Sequence, residues 1–214
     1  EERLREALSA IKRGRLDRNR LGRCLRLLTD VYRALGRNED ALRSLKQYRR
    51  FVRQVKALHE RDRQRIVEST TIEAAQLLGS LQRFKEAEAV LQDGLTKIGD
   101  RSAPGHLVRG LPFQIELAKL AKAQGDQQKA RQQWSEVAKD AKEALRKMDG
   151  RQRSSALRTV CMEALATSYV ATENYPAAIK VKLRLLALQR KRQDKFAEVR
   201  TRKDLGALYV RMKD

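Results

Sequence analysis

The chain has 214 residues and a formal net charge of +21, from 48 Lys and Arg against 27 Asp and Glu. Three Pro and eleven Gly are too few turn residues for a β-sandwich or barrel, whereas Ala, Leu, Arg, Lys, Glu and Gln, all good helix formers, dominate. Two cysteines exclude a disulfide scaffold, and no apolar run approaches the roughly 18 residues of a membrane span.

Leu4, Ala7, Leu8 and Ile11 open the chain with a helical stripe over residues 1–16. Leu21, Leu25, Leu28 and Tyr32 then predict a helix that ends at Gly36-Arg37-Asn38. Ala41, Leu42, Leu45, Phe51, Val52 and Val55 give the stripe of a long second helix. The same sequence of events recurs. An apolar residue is followed nine positions later by Ala at Tyr32–Ala41, Leu78–Ala87, Ala121–Ala130 and Tyr169–Ala178. The starting positions lie 46, 43 and 48 residues apart, and Tyr209 follows 40 residues after Tyr169. Between the paired positions stand the turn signals Gln82-Arg83-Phe84, Gly125-Asp126-Gln127 and Glu173-Asn174-Tyr175. Pro176 sits at the start of its helix, where the missing amide donor costs nothing.

Each unit therefore reads as helix, tight turn, helix. The predicted divisions are a partial unit over 1–16, repeats over 17–64, 65–104, 105–149 and 150–196, and the first helix of a further repeat over 197–214. Such a unit has an apolar face it cannot bury alone, so neighbours must stack. The chain thus opens on a second helix and closes on a first helix. Each end is expected to present an apolar face, as in a piece of a longer protein or a domain whose ends partners cover.

These residues resemble the tetratricopeptide repeat (TPR) family. Leu28-Thr29…Tyr32…Ala41, Ala74-Ala75…Leu78…Ala87, Leu117-Ala118…Ala121…Ala130 and Leu165-Ala166…Tyr169…Ala178 fit its pattern, and Leu205-Gly206…Tyr209 fits its first half. The tryptophan that the family places early in its first helix (helix A) is absent. The period exceeds the usual 34, as in the kinesin light chain and LGN-like subgroup. The resemblance implies an all-α fold, an α-solenoid wound as a right-handed superhelix. It also implies that helix A of each unit lines a concave groove.

The sequence shows no phosphate loop, zinc-protease helix, nucleophile elbow or paired-cysteine spacing, so no catalytic residue, metal site or cofactor is expected and the chain does not read as an enzyme. His59 falls on an expected exposed helix and His106 in a linker over 99–110. Neither has a ligand partner at metal spacing. Cys24 and Cys161 fill the same slot of their helices and read as small buried hydrophobes, and Trp134 as core.

By the resemblance, the candidate partner-binding groove comprises Arg23, Arg26 and Asp30, then Glu73 and Gln76, then Ile115, Glu116 and Lys119, then Glu163 and Thr167. Arg33, Lys203, Asp204 and Arg211 extend it. The acids Asp30 and Glu73 occupy slots where some family members hold asparagine for a chaperone's carboxyl terminus, which disfavours that ligand. Residues 43–65 hold nine cations against Glu60 and Asp62, and residues 180–203 hold ten against Asp194 and Glu198. Arg49, Arg50, Arg53, Lys56, Arg190, Lys191 and Arg192 thus form a candidate basic face on the second helices. Aromatics for base stacking are scarce there, which disfavours sequence-specific single-strand recognition.

The function expected is that of a protein-interaction scaffold. It would bind a peptide or helix of a larger complex inside the cell, in the cytoplasm, with the cytoskeleton and the nucleus left open. The alternative is binding of nucleic acid, or of acidic tails such as those of tubulin, on the basic face.

Overall fold

The computed structural model describes Glu6, Ser9 and residues 18–55, 57–99, 103–148 and 155–212. The opening stripe Leu4, Ala7, Leu8 and Ile11 lies outside them, as does Lys56. Among the described residues nine α-helices follow one another and no strand occurs. They are α1 (Arg18–Ala34), α2 (Asn38–Gln54), α3 (Glu60–Ser80), α4 (Phe84–Ile98), α5 (Pro104–Ala123), α6 (Gln127–Met148), α7 (Ser155–Ala171), α8 (Tyr175–Lys191) and α9 (Lys195–Arg211).

The chain forms two compact units, Glu1–Gly94 and Leu95–Asp214, divided inside α4. In the first unit α2 packs against both α1 and α3. In the second, α5 to α9 pack in chain order, each on the next, and α5 also meets α7. Within each unit this is the stacking of helical hairpins in an α-solenoid.

Five tight turns share one geometry. The amide that follows each turn donates back across five residues: Arg37 to Tyr32, Arg83 to Leu78, Asp126 to Ala121, Asn174 to Tyr169 and Asp194 to Gln189. The amide before it donates across three, as from Gly36 to Arg33 and Gly125 to Lys122. This pair of bonds satisfies carbonyls that a helix end leaves orphaned and requires one left-handed residue. Gly36 and Gly125 supply it without a Cβ penalty, whereas Gln82, Glu173 and Gln193 adopt φ of 58°, 61° and 57° with one. The next helix starts at once. Asn174 and Asp194 then accept a hydrogen bond from the backbone of Ala177 and Ala197, capping α8 and α9.

The hairpins close on small residues. Thr29, Ala75, Ala118 and Ala166 on the first helices, and Ala41, Ala87, Ala130 and Ala178 on the second, are all at most 3% exposed. Any longer side chain would hold the two backbones apart. The equivalent slot of α9 is Gly206, and a Cβ placed there would meet nothing within 4 Å. Beside it Phe196, Val199, Tyr209 and Val210 are exposed.

The second unit's core gathers Leu107, Leu111, Trp134, Val137, Ala141, Cys161 and Leu165, and the Ser168 hydroxyl donates to the Trp134 carbonyl at 2.5 Å. Burial pushes the Cys161 thiol up to about 11, while Cys24 is only half-buried. Two local expectations need correction. Pro104 opens α5, so His106 stands on the first turn of a helix rather than in a linker. His59 occupies the N-cap position just before α3, with no side-chain capping bond, rather than lying on a helix.

Candidate functional site

The groove candidates of the first unit lie on α1 and α3, and ion pairs bring several of them together. Glu73, with its side chain only 9% exposed, accepts hydrogen bonds from Arg26 and, at 2.8 Å, from Arg33. Asp30 adds a looser contact to Arg26 at 3.6 Å. Burial lowers the affinity of Arg26 for its proton, but the hydrogen bond and charge of Glu73 outweigh it and leave its pKa raised. Arg23 and Gln76 are exposed beside this cluster.

In the second unit Ile115 and Glu116 are half-buried on α5, and Lys119 reaches Glu116 at 2.8 Å. On α7 the Thr167 hydroxyl donates to the Glu163 carbonyl at 2.8 Å. The Glu163 carboxylate accepts from Lys182 of α8 at 2.8 Å and from Arg200 of α9 at 3.2 Å. Lys182 also reaches Asp204 at 2.8 Å, and its own side chain is 8% exposed. Thr167 lines a cleft of about 240 Å³ with Val170, Lys182, Asp204, Ala207 and Arg211. Its floor is apolar and its rim carries both signs of charge.

Lys182 was counted with the outward-facing cations of residues 180–203, and the structure turns it inward. The signal was present in the spacing, because Ala178, Val181, Lys182 and Leu185 share one buried helix face. Arg200 carried no such signal, since it reaches Glu163 from an exposed position on another helix.

The basic face falls into two groups, one in each unit. Arg50 and Arg53 on α2 are exposed and have no carboxylate partner among the described residues. Arg49 is half-buried with its Nε unsatisfied; burial, and then the charge of Arg53, push its pKa down, partly offset by Asp93. On α8, Lys191 is exposed without a carboxylate partner, and Arg190 is tied to Glu198 at 2.9 Å. Arg192, just beyond the helix, donates a hydrogen bond to the Thr159 hydroxyl at 3.4 Å. Among the described residues no group of His, Cys, Asp or Glu is arranged to hold a metal ion, and no helix is long and apolar enough to cross a membrane.

Comparison with solved structures bears directly on this arrangement. The chain is similar to BtubC (BKLC) from P. vanneervenii over 100% of its own length and 80% of that chain, with a TM-score of 0.56 and 18% identity. A kinesin light chain from Podosopora anserina with nearly identical TPR-like repeats matches over 90% of this chain and 87% of its own, with a TM-score of 0.52 and 20% identity. The fold is the TPR-like solenoid. The apo form of RapI matches over 98% of this chain at a TM-score of 0.55 and 11% identity, and this chain spans 54% of its length. At these identities the TPR-like likeness is one of fold. No family model and no curated protein matches the sequence.

Proposed function

We propose that this chain is a non-catalytic scaffold that binds a segment of a partner protein on the groove faces of its first helices. The observation that carries this reading is the cleft beside Thr167. A floor of the buried Ala166 and Leu208 under a rim of Asp204 and Arg211 suits a segment with an apolar side chain flanked by polar ones. Ile115, Glu116 and Lys119 on α5 are further groove contacts within the second unit. Arg23, Arg26, Asp30, Glu73 and Gln76 form the corresponding set in the first. Glu73 and Glu163 are already engaged in ion pairs, so in this reading they set the groove's shape and charge from beneath, and the exposed groups beside them touch the partner.

Crosslinking mass spectrometry of the protein in its own cell extract tests the proposal. Partner crosslinks should fall near Arg23, Gln76 and Lys119. Thr167→Arg, which fills the cleft, should weaken the partner at least tenfold while leaving the helical circular-dichroism signal unchanged. Crosslinks confined to α2, α4, α6 and α8 would overturn the assignment.

A second reading rests on Arg50, Arg53, Lys191 and Arg192, four exposed cations without carboxylate partners. If they contact phosphates, log affinity against log salt should fall with a slope of about −3 to −4 and with little sequence preference. Failure of both duplex and single-stranded nucleic acid to bind at low salt would eliminate it.

A further inference from the structure

Neither the groove set nor the basic face includes a second, wider cleft of the second unit. Its volume is about 660 Å³, and it runs along α6 beside the end of α7 and the turn into α8. Ser135, Ala138, Lys139, Lys142, Glu143 and Arg146 form its α6 wall, and Tyr169, Thr172 and Asn174 lie opposite. The α6 positions recur every three or four residues, so their side chains share one face.

The cleft is built of donors. Lys139, Lys142 and Arg146 are exposed, and among the described residues no carboxylate lies within 4 Å of any of them; Lys139 and Arg146 feel Glu143 only at longer range. The one carboxylate in the wall, Glu143, is held by Lys147 at 2.8 Å, which keeps its carboxyl below the usual range. The Ser168 hydroxyl is spent on the Trp134 carbonyl and that of Thr172 on the Ser168 carbonyl at 3.0 Å. Asn174 accepts from the Ala177 amide through its oxygen, which leaves its NH2 to donate. An anion entering the cleft therefore meets three exposed cations that no carboxylate holds by a hydrogen bond, and an amide donor.

Shape and chemistry narrow the class of anion. From Ser135 to Arg146 the wall is about 16 Å long, the length of roughly five residues of extended chain. Alternate side chains of such a strand are about 7 Å apart, and the cations on α6 rise by about 4.5 and 6 Å, a difference their long side chains can span. Tyr169 is the one aromatic lining the cleft. Lys142 stands over its ring at 5.3 Å, and the ring packs against the hydrophobic cluster behind it, so no face is left for a base to stack on.

We infer that this cleft binds an extended, carboxylate-rich peptide segment, with Lys139, Lys142 and Arg146 pairing with alternate acidic side chains. The site is distinct from the groove, so the two can succeed or fail separately.

Fluorescence anisotropy of the whole chain with a fluorescein-labelled peptide of alternating glutamate and alanine tests the inference. The variant Lys139→Gln, Lys142→Gln, Arg146→Gln keeps good helix formers on α6 and should weaken binding about tenfold. A control that removes the same charge elsewhere, Arg50→Gln, Arg53→Gln, Lys191→Gln, should change it less than about twofold if the pairing is local rather than long-range. Arg146→Gln alone, at an exposed position, should cost about threefold and covers the case in which the triple variant misfolds. Equal losses in the two triple variants, no binding at low salt, or an oligouridylate that binds more tightly than the peptide and loses affinity in the cleft variant would each overturn the inference. Thr167→Arg should leave peptide affinity unchanged; a parallel loss would place the peptide in the groove and overturn the inference as well.

Discussion

The two units solve the same electrostatic problem with opposite signs. In the first, a buried carboxylate, Glu73, sits between two arginines that are 40% and 44% exposed. In the second, a buried ammonium, Lys182, sits between two carboxylates that are 24% and 42% exposed. Each cluster joins helices of adjacent hairpins, α1 to α3 in one case and α7 to α8 and α9 in the other. The outer partners stay more exposed than the charge they surround, which is thereby satisfied. The weak member of such a cluster is its centre, because the centre has lost the most water.

The largest effect should therefore come from stripping the partners and leaving the centre. Glu163→Ala with Asp204→Ala leaves Lys182 buried and unpaired, and should cost about 3–5 kcal/mol in urea denaturation of the whole chain. Arg26→Ala with Arg33→Ala should cost a similar amount through Glu73. A loss below about 1 kcal/mol in either would mean that the central side chain reaches water.

The hairpin contact gives a second measure that both units should share. Ala41→Leu in the first unit and Ala178→Leu in the second each overpack a site that is fully buried, and should cost about 1–3 kcal/mol. Gly206→Ala, at the equivalent slot of α9, meets open space and should instead stabilise by roughly 0.5–1 kcal/mol through helix propensity. If Gly206→Ala also destabilises, that slot is covered in solution.

Removing the centre itself should cost less than stripping it. Lys182→Met keeps the volume of the side chain and frees Glu163 and Asp204 to turn to water, so stability should change by about 1 kcal/mol or less. Equal losses from Lys182→Met and from the double alanine variant would show that the three groups act as one unit.

The smallest effects belong to the surface pairs. Arg37 and Arg43 hold the Asp40 carboxyl below its ordinary 3.8, and Arg83 holds that of Glu86 below 4.5. Because the folded values are depressed, this stabilisation is present above pH 4.5 and is lost as pH falls through the folded values. The urea midpoint should therefore drop more steeply between pH 5 and pH 3 in the parent than in Arg83→Gln, and salt should erase the difference.

The helical hairpins were legible because the signals were local. A nine-residue interval between an apolar residue and an alanine, with a turn residue between, encodes a crossing that Ala41, Ala87, Ala130 and Ala178 all make. Even without glycine, Gln82 and Glu173 take the left-handed conformation, since the hairpin bonds on either side compensate for it. The turn at Gln193 went unread because it joins a second helix to the next first helix, where no paired apolar–alanine interval points to it.

What the sequence by itself determined, then, is the succession of helices, the small residues at their crossings and the excess of positive charge. Those properties depend on neighbours within a few turns of one chain segment. Only the tertiary structure decided which charges are free. Lys182 and Arg190 stand eight residues apart in the same basic run, yet one is buried between two carboxylates and the other is exposed beside Glu198. Lys139, Lys142 and Arg146 lie outside the richest basic runs, yet they line a cleft of about 660 Å³ with no carboxylate within 4 Å among the described residues. The availability of a charge depends on the carboxylates that other helices bring within 4 Å of it. Those lie 19 to 47 residues away for the two buried clusters, beyond the reach of any helical period.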